Sequence, residues 1–211
     1  MFGSRELSYL LFLPEDYEAD AARQWPLILF LHGAGERGDD LERVRKNGLP
    51  KVTGSDPHFP FVVVSPQCPA GTYWPYLVDD LNDLVESILA QYRVDGSRVY
   101  LTGISMGGYG TFYLAMAYPS AFAALAPICG GGDPTQVGRI RHLPTWVFHG
   151  ARDNVVPLEE SELMVSALRK AGANVQFTVY PHAGHDAWTE TYNNPQLYDW
   201  FLCHQNKETR R

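Results

Sequence analysis

An α/β fold, with helices on both faces of a mostly parallel sheet, is predicted by three features of this 211-residue chain. Short apolar runs alternate with helix-period segments, several of the runs are apolar throughout, and no repeat or linker interrupts the alternation. The candidate strands are 8–13, 27–31, 61–65, 98–102, 122–128, 145–149 and 176–180. Each is rich in Val, Ile, Leu, Phe or Tyr and bounded by Pro, Gly or Asp. Unbroken apolar runs suit strands buried on both faces.

The helices are read from period and caps. Leu77, Val78, Leu81, Leu84, Val85, Ile88, Leu89 and Tyr92 form one apolar stripe, with Asp79, Asp80, Asn82, Asp83 and Glu86 opposite. Residues 159–171 begin acidic at Glu159, Glu160 and Glu162, end basic at Arg169 and Lys170, and meet Gly172. That order complements the helix dipole and supplies a C-terminal cap. A third helix runs from Gly107 to Tyr118, stopped by Pro119, and a last one from Pro195 to about His204.

With 45% hydrophobic and 19% charged residues, the chain can bury a core without metals or disulfides. Its length fits a single domain over 1–211, with 206–211 as a disordered tail. A net charge of −7 argues against nucleic acid as a partner, since a polyanion is repelled; only the tail Lys207-Glu208-Thr209-Arg210-Arg211 is basic. No apolar run approaches the ~20 residues of a membrane span, so no membrane partner is expected. The N-terminus shows no signal-peptide pattern, which favours the cytoplasm and leaves secretion open if a leader has been removed. Cys68, Cys129 and Cys203 have neither disulfide-framework nor zinc spacing. They read as buried free thiols, with a Cys68–Cys129 bridge as the alternative.

The sharpest motif is Gly103-Ile104-Ser105-Met106-Gly107, a G-x-S-x-G between a candidate strand and a candidate helix. A serine on a tight strand-to-helix turn needs neighbours without side chains on either side. Its Oγ then projects above the sheet edge, where the helix N-terminus favours developing negative charge. Upstream, strand 27–31 runs into His32-Gly33-Ala34-Gly35-Glu36-Arg37-Gly38. Glycines after a buried strand let backbone amides approach a ligand closely. The Met106 amide with that of Ala34 (Gly35 as alternate) would form an oxyanion hole. No G-x-G-x-x-G or G-K-[ST] follows, so a phosphate loop is the weaker reading. His32 reads as a brace for the loop.

A serine nucleophile needs a base, and the base an orienting carboxylate. Strand 176–180 leads into Pro181-His182-Ala183-Gly184-His185, where Gly184 can bend His185 inward while His182 abuts the strand end. His185 is therefore the candidate base. A metal reading of His182-x-x-His185 lacks further ligands, and no metal or organic cofactor is expected. Asp153, after strand 145–149, stands where the acid of a Ser…Asp…His order belongs. Asp133 is its rival, and Asp186 lies too close in sequence to His185 to face its ring.

Together, Leu13-Pro14, Trp25-Pro26, His32 to Gly38, Pro66-Gln67-Cys68-Pro69, Gly103 to Gly108 and Gly184-His185-Asp186-x-Trp188 resemble the α/β-hydrolase superfamily. More narrowly they are similar to phospholipase/carboxylesterase and polyhydroxybutyrate-depolymerase-like serine esterases, a group also labelled predicted peptidases. The resemblance spans residues 8–203 and implies Ser105 as nucleophile, Asp153 as acid and His185 as base. Dienelactone hydrolases share the fold but carry Cys at the elbow, so Ser105 points away from that subfamily. The implied activity is hydrolysis of short-chain or aryl carboxylic esters, free or borne on a carrier such as a polysaccharide. A serine peptidase is the alternative, and a non-catalytic binding protein of the same fold a further one. No segment is left for a cap domain, so the site is expected to be open. Tyr73, Trp74, Tyr109 and Trp188 are the candidate aromatic walls for substrate.

Overall fold

The computed structural model describes residues 6–206. Seven strands form one sheet: β1 (Tyr9–Phe12), β2 (Trp25–Leu31), β3 (Val62–Pro66), β4 (Val94–Ile104), β5 (Ala124–Ile128), β6 (Thr145–Gly150) and β7 (Val175–Tyr180). Their order is β1-β3-β2-β4-β5-β6-β7. Only β1 runs antiparallel, pairing Tyr9 with Pro66 and Phe12 with Val63 on β3. The other pairings are parallel, so the carboxyl ends of β2 to β7 share one edge. This is the α/β-hydrolase architecture.

Strand β2 shows why the apolar runs do not alternate. Leu27, Leu29 and Leu31 face one layer of core, while Ile28 and Phe30 face the other. Adjacent side chains leave a strand on opposite faces, so a strand covered on both sides is apolar at every position. The first layer packs under α2 (Val78–Gln91), α3 (Met106–Ala117) and α4 (Leu158–Lys170). The second packs under α1 (Leu49–Thr53), α5 (Trp188–Tyr192) and α6 (Pro195–Leu202). Full burial of rings such as Phe30, Phe112 and Phe148 contributes roughly 1.5–3 kcal/mol each.

Helix α2 buries Leu81, Leu84, Val85 and Ile88, the middle of the apolar stripe. Helix α4 stops where Gly172 takes φ +76°, a left-handed conformation that glycine adopts without a Cβ clash. Two short helices were not read from the sequence. Each of α1 and α5 has five residues, too few for a hydrophobic period to show. At the C-terminus, Asn206 lies in the segment expected to be a tail, yet its amide bonds Ser97 O (2.8 Å) and its side chain donates to Ser120 O (2.6 Å). The rest of that expected tail, 207–211, lies outside the described residues. Among the described residues no helix is long and apolar enough to cross a membrane.

Strand order reverses between β2 and β4: β3 lies on one side of β2, and β4 opens the series on the other. Loops leaving neighbouring strands at such a reversal diverge and leave a crevice at the carboxyl edge. The loops after β2 and β4 carry Gly33 and Ser105.

Candidate active site

Ser105 joins β4 to α3 with φ +55° and ψ −116°, a conformation that costs an L-residue of order 1–3 kcal/mol. The surroundings hold it there. Its amide donates to Ile128 O on β5 (2.9 Å), and its carbonyl accepts from the amides of Gly108 (2.8 Å) and Tyr109 (3.2 Å). The flanking glycines are required by contact: a Cβ on Gly103 would strike the Gly107 carbonyl, and one on Gly107 would strike the Leu31 carbonyl. The elbow is thus pressed against the end of β2.

His185 Nε2 lies 2.9 Å from Ser105 Oγ, and His185 Nδ1 lies 2.7 Å from Asp153 Oδ2. The structure therefore brings together the residues read as nucleophile, base and acid, from the ends of β4, β7 and β6. The Asp153 side chain is fully buried and that of His185 only 20% exposed. Asp153 Oδ1 accepts from the amides of Val155 and Val156, both at 2.9 Å. Burial works against the carboxylate charge. The His185 ring and those two amides outweigh it and hold the carboxyl below its ordinary value. The acid and base loops are also tied by backbone: Ala151 N donates to Tyr180 O (2.9 Å) and Arg152 N to Ala183 O (3.0 Å).

The rival residues are occupied elsewhere. Asp133 caps a 3₁₀ turn by accepting from the Thr135 amide. His182 is exposed, with Nδ1 3.3 Å from an Arg152 guanidinium nitrogen. Asp186 is exposed and lends its carbonyl to the Thr189 amide at the start of α5.

The loop after β2 lies beside the serine, since a Cβ built on Gly33 would sit 3.7 Å from Ser105 Cβ. It is braced from several sides. His32 Nε2 accepts from the Cys68 amide (2.9 Å), so its hydrogen resides on Nδ1, 2.6 Å from Gly33 O. Burial lowers the His32 pKa despite the nearby Glu36 carboxylate. Asn47 donates to Glu36 Oε1 (2.7 Å), Gln67 to the Glu36 carbonyl (2.8 Å), and Arg37 Nε to the Ala34 carbonyl (3.1 Å). Ala34 and Met106 each open a helical turn, so neither amide has an acceptor within its own turn.

Among the aromatic candidates, Trp74 requires correction. It is fully buried and its indole N–H donates to His32 O (2.9 Å). It is a strut beneath the loop, not a substrate wall. Tyr73, 48% exposed, and Tyr109 line an open trough of about 640 Å³ together with Pro75, Tyr76, Met106 and Tyr113. The Tyr109 hydroxyl donates to Glu160 (3.1 Å), and burial raises its pKa. Tyr76 and Tyr113 were not singled out from the sequence, although Tyr109 and Tyr113 stand one turn apart on α3. Trp188 lies across the site, its ring edge-on to His185 with centroids 5.2 Å apart. It borders a smaller cleft of about 130 Å³ with Asn47, Lys51, Ser55 and Asn193.

The model of the dienelactone hydrolase family matches residues 73–205, more than half of the chain and the whole stretch from the tyrosine trough through the elbow to His185. The chain belongs to the dienelactone hydrolase family. This revises the expectation drawn from the elbow, since the match spans position 105 with a serine there. Relatives of this dienelactone hydrolase family member include a "Poly(3-hydroxyoctanoate) depolymerase" of Pseudomonas fluorescens, 27% identical over 68% of this chain and 59% of that protein. A "Probable carboxylesterase" of Oryza sativa subsp. japonica is 27% identical over 91% of this chain and 82% of its own length. Among solved structures, a thermostable esterase superposes with a TM-score of 0.80 at 35% identity, covering 93% of this chain and 59% of that one. The chain thus spans little more than half the length of the depolymerase and of that esterase.

Proposed function

We propose that this protein hydrolyses carboxylic esters through an acyl-enzyme formed on Ser105. The observation that carries this reading is the continuous contact from Ser105 Oγ to His185 (2.9 Å) and from His185 to Asp153 (2.7 Å). His185 Nε2 takes the Ser105 proton as Oγ attacks the ester carbonyl, and Asp153 holds the tautomer that leaves Nε2 free to do so. The amides of Met106 and Ala34 receive the developing oxyanion, and loss of one such donor costs roughly 3–4 kcal/mol of transition-state stabilisation. His185 then gives its proton to the departing alcohol. Water attacks the acyl-enzyme with His185 again as base.

The substrate lies across this line. The alcohol must leave over His185, on the side where Trp188 and the smaller cleft stand. The acyl group then extends past Met106 into the tyrosine trough. Flat rings and an open mouth favour short or aryl acyl groups over long alkyl chains, and an open site admits an ester projecting from a larger carrier.

The test is hydrolysis of p-nitrophenyl esters from acetate to palmitate, with methyl ferulate and a peptide amide alongside. Turnover of short or aryl esters that disappears in Ser105→Ala is the expected result. Cleavage of the amide with silence on every ester would make the protein a peptidase. Activity undiminished in Ser105→Ala would remove the serine mechanism altogether.

A further inference from the structure

Asp153 belongs to a loop, 151–157, whose Ala151, Arg152, Asn154, Val155 and Pro157 are exposed, yet its own carboxylate is fully buried. A wholly buried histidine on β6, His149, lies against it. His149 Nε2 is 3.0 Å from the Val156 carbonyl and 3.3 Å from Asp153 Oδ2. Both oxygens only accept, so Nε2 carries a hydrogen and shares it between them. On the other side of the ring, Nδ1 meets Ser161 Oγ at 2.7 Å, and that oxygen is also 2.8 Å from the Gly130 carbonyl. The Ser161 hydroxyl donates to that carbonyl, which pins its oxygen against Nδ1, while the two acceptors at Nε2 keep a ring hydrogen facing the acid.

One polar chain therefore runs from the partly exposed Ser105 through His185, Asp153 and His149 to the buried Ser161. Its outer half rests on loops; its inner half rests on β6, α4 and the residue pair after β5. Asp153 Oδ2 is faced by two imidazoles, one turned toward Ser105 and one held in the sheet.

We propose that His149 and Ser161 are positioning residues for Asp153, coupling the acid of the site to the rigid sheet so that its Oδ2 meets His185 Nδ1 in the reactive orientation. This rests on the reading of Ser105, His185 and Asp153 as the reacting group. Neither His149 nor Ser161 touches substrate. Their removal lowers the rate of the chemical step and leaves substrate binding alone.

The experiment compares wild type, Ser161→Ala and His149→Phe in two measurements. The first is kcat and KM on p-nitrophenyl butyrate. The second is the low-field proton resonance of the hydrogen between His185 Nδ1 and Asp153, which a purely structural filler would leave in place. Ser161→Ala is expected to lower kcat roughly 10-fold and His149→Phe roughly 100-fold, the scale of a misplaced catalytic group. KM should stay within about 2-fold, because ground-state binding is untouched. The resonance should shift or broaden in both. Folded variants with wild-type kcat and an unmoved resonance would overturn the proposal. Should His149→Phe fail to fold, Ser161→Ala decides, since it deletes one oxygen and little volume. Should wild type hydrolyse no ester, the reading of the reaction fails, and the resonance in Ser161→Ala still settles whether the inner pair positions Asp153.

Discussion

His32 and Cys68 are joined across the carboxyl ends of two adjacent strands: the Cys68 amide donates to His32 Nε2 at 2.9 Å. A protonated ring has no lone pair to accept that bond, so the brace exists only while His32 is neutral. Burial already lowers the His32 pKa. The unfolded chain therefore takes up this proton near the ordinary value of about 6.5, before the folded protein does. Stability from His32 is complete above that value and is lost as pH falls from there through the folded value. Urea midpoints should decline as the pH falls below about 6.5 in wild type, and decline less in His32→Asn. Equal slopes in both proteins would show that His32 is not the group responsible.

Ser105 holds a conformation suited to glycine, at φ +55°. Ser105→Gly removes the Cβ that makes this conformation costly, and removes the Oγ. The expected variant is more stable by about 1 kcal/mol, after allowing for the greater freedom of unfolded glycine, and has no esterase turnover. Chemical denaturation together with an ester assay checks both halves. A destabilised variant would mean that the contact from Oγ to His185 outweighs the backbone strain.

All seven strands and the four long helices were legible in the sequence because their signals are local: unbroken apolar runs, an apolar stripe, a dipole-matched charge order, a terminal proline. The grouping of Ser105, Asp153 and His185 was legible through chain order, since each follows the carboxyl end of a strand. Helices α1 and α5 left no such trace at five residues each. Trp74 was misplaced because nothing local distinguishes an indole beneath a loop from one above it; its bond to the His32 carbonyl is a contact between positions far apart in sequence. His149 and Ser161 were missed for the same reason. Their roles follow from the folding of α4 against β6, which no local period encodes.

Gly107 lies against the Leu31 carbonyl so closely that an added Cβ would overlap it. The obstacle is backbone, which cannot swing aside as a side chain can. Gly107→Ala is expected to cost more than about 3 kcal/mol, above the usual range for overpacking, and to move the elbow away from β2. A melting temperature within a few degrees of wild type would show that α3 slides without strain.

Asp153→Asn separates the electrostatic part of the site from its shape. The amide can still accept from the Val155 and Val156 amides, but it neither fixes the His185 tautomer nor stabilises the imidazolium. A loss in kcat of roughly 10⁴ follows by analogy with serine hydrolases of the same arrangement. Stability should change at acid pH as well. The Asp153 carboxyl is depressed in the folded protein, so its contribution is complete above the ordinary carboxyl value near 3.9 and is lost as pH falls through the folded value. Acid unfolding of Asp153→Asn should therefore be shallower below about pH 4. An unaltered acid limb would contradict the depressed carboxyl.

The tyrosine trough predicts a split between substrates. Tyr109 and Tyr113 present their rings from one face of α3, opposite Tyr73 and the 81%-exposed Tyr76. An aryl acyl group meeting such rings gains roughly 0.5–1.5 kcal/mol per well-placed pair beyond simple burial. An acetyl group has no ring to stack against them. Tyr76→Ala, which touches none of the reacting groups, should lower kcat/KM for a methyl aryl-acrylate ester by about 3- to 10-fold and leave p-nitrophenyl acetate unchanged. Steady-state kinetics on the two esters reads the difference directly. Equal loss on both would mean that Tyr76 supports the elbow, and equal retention would place the acyl group outside the trough, on the Trp188 side of His185.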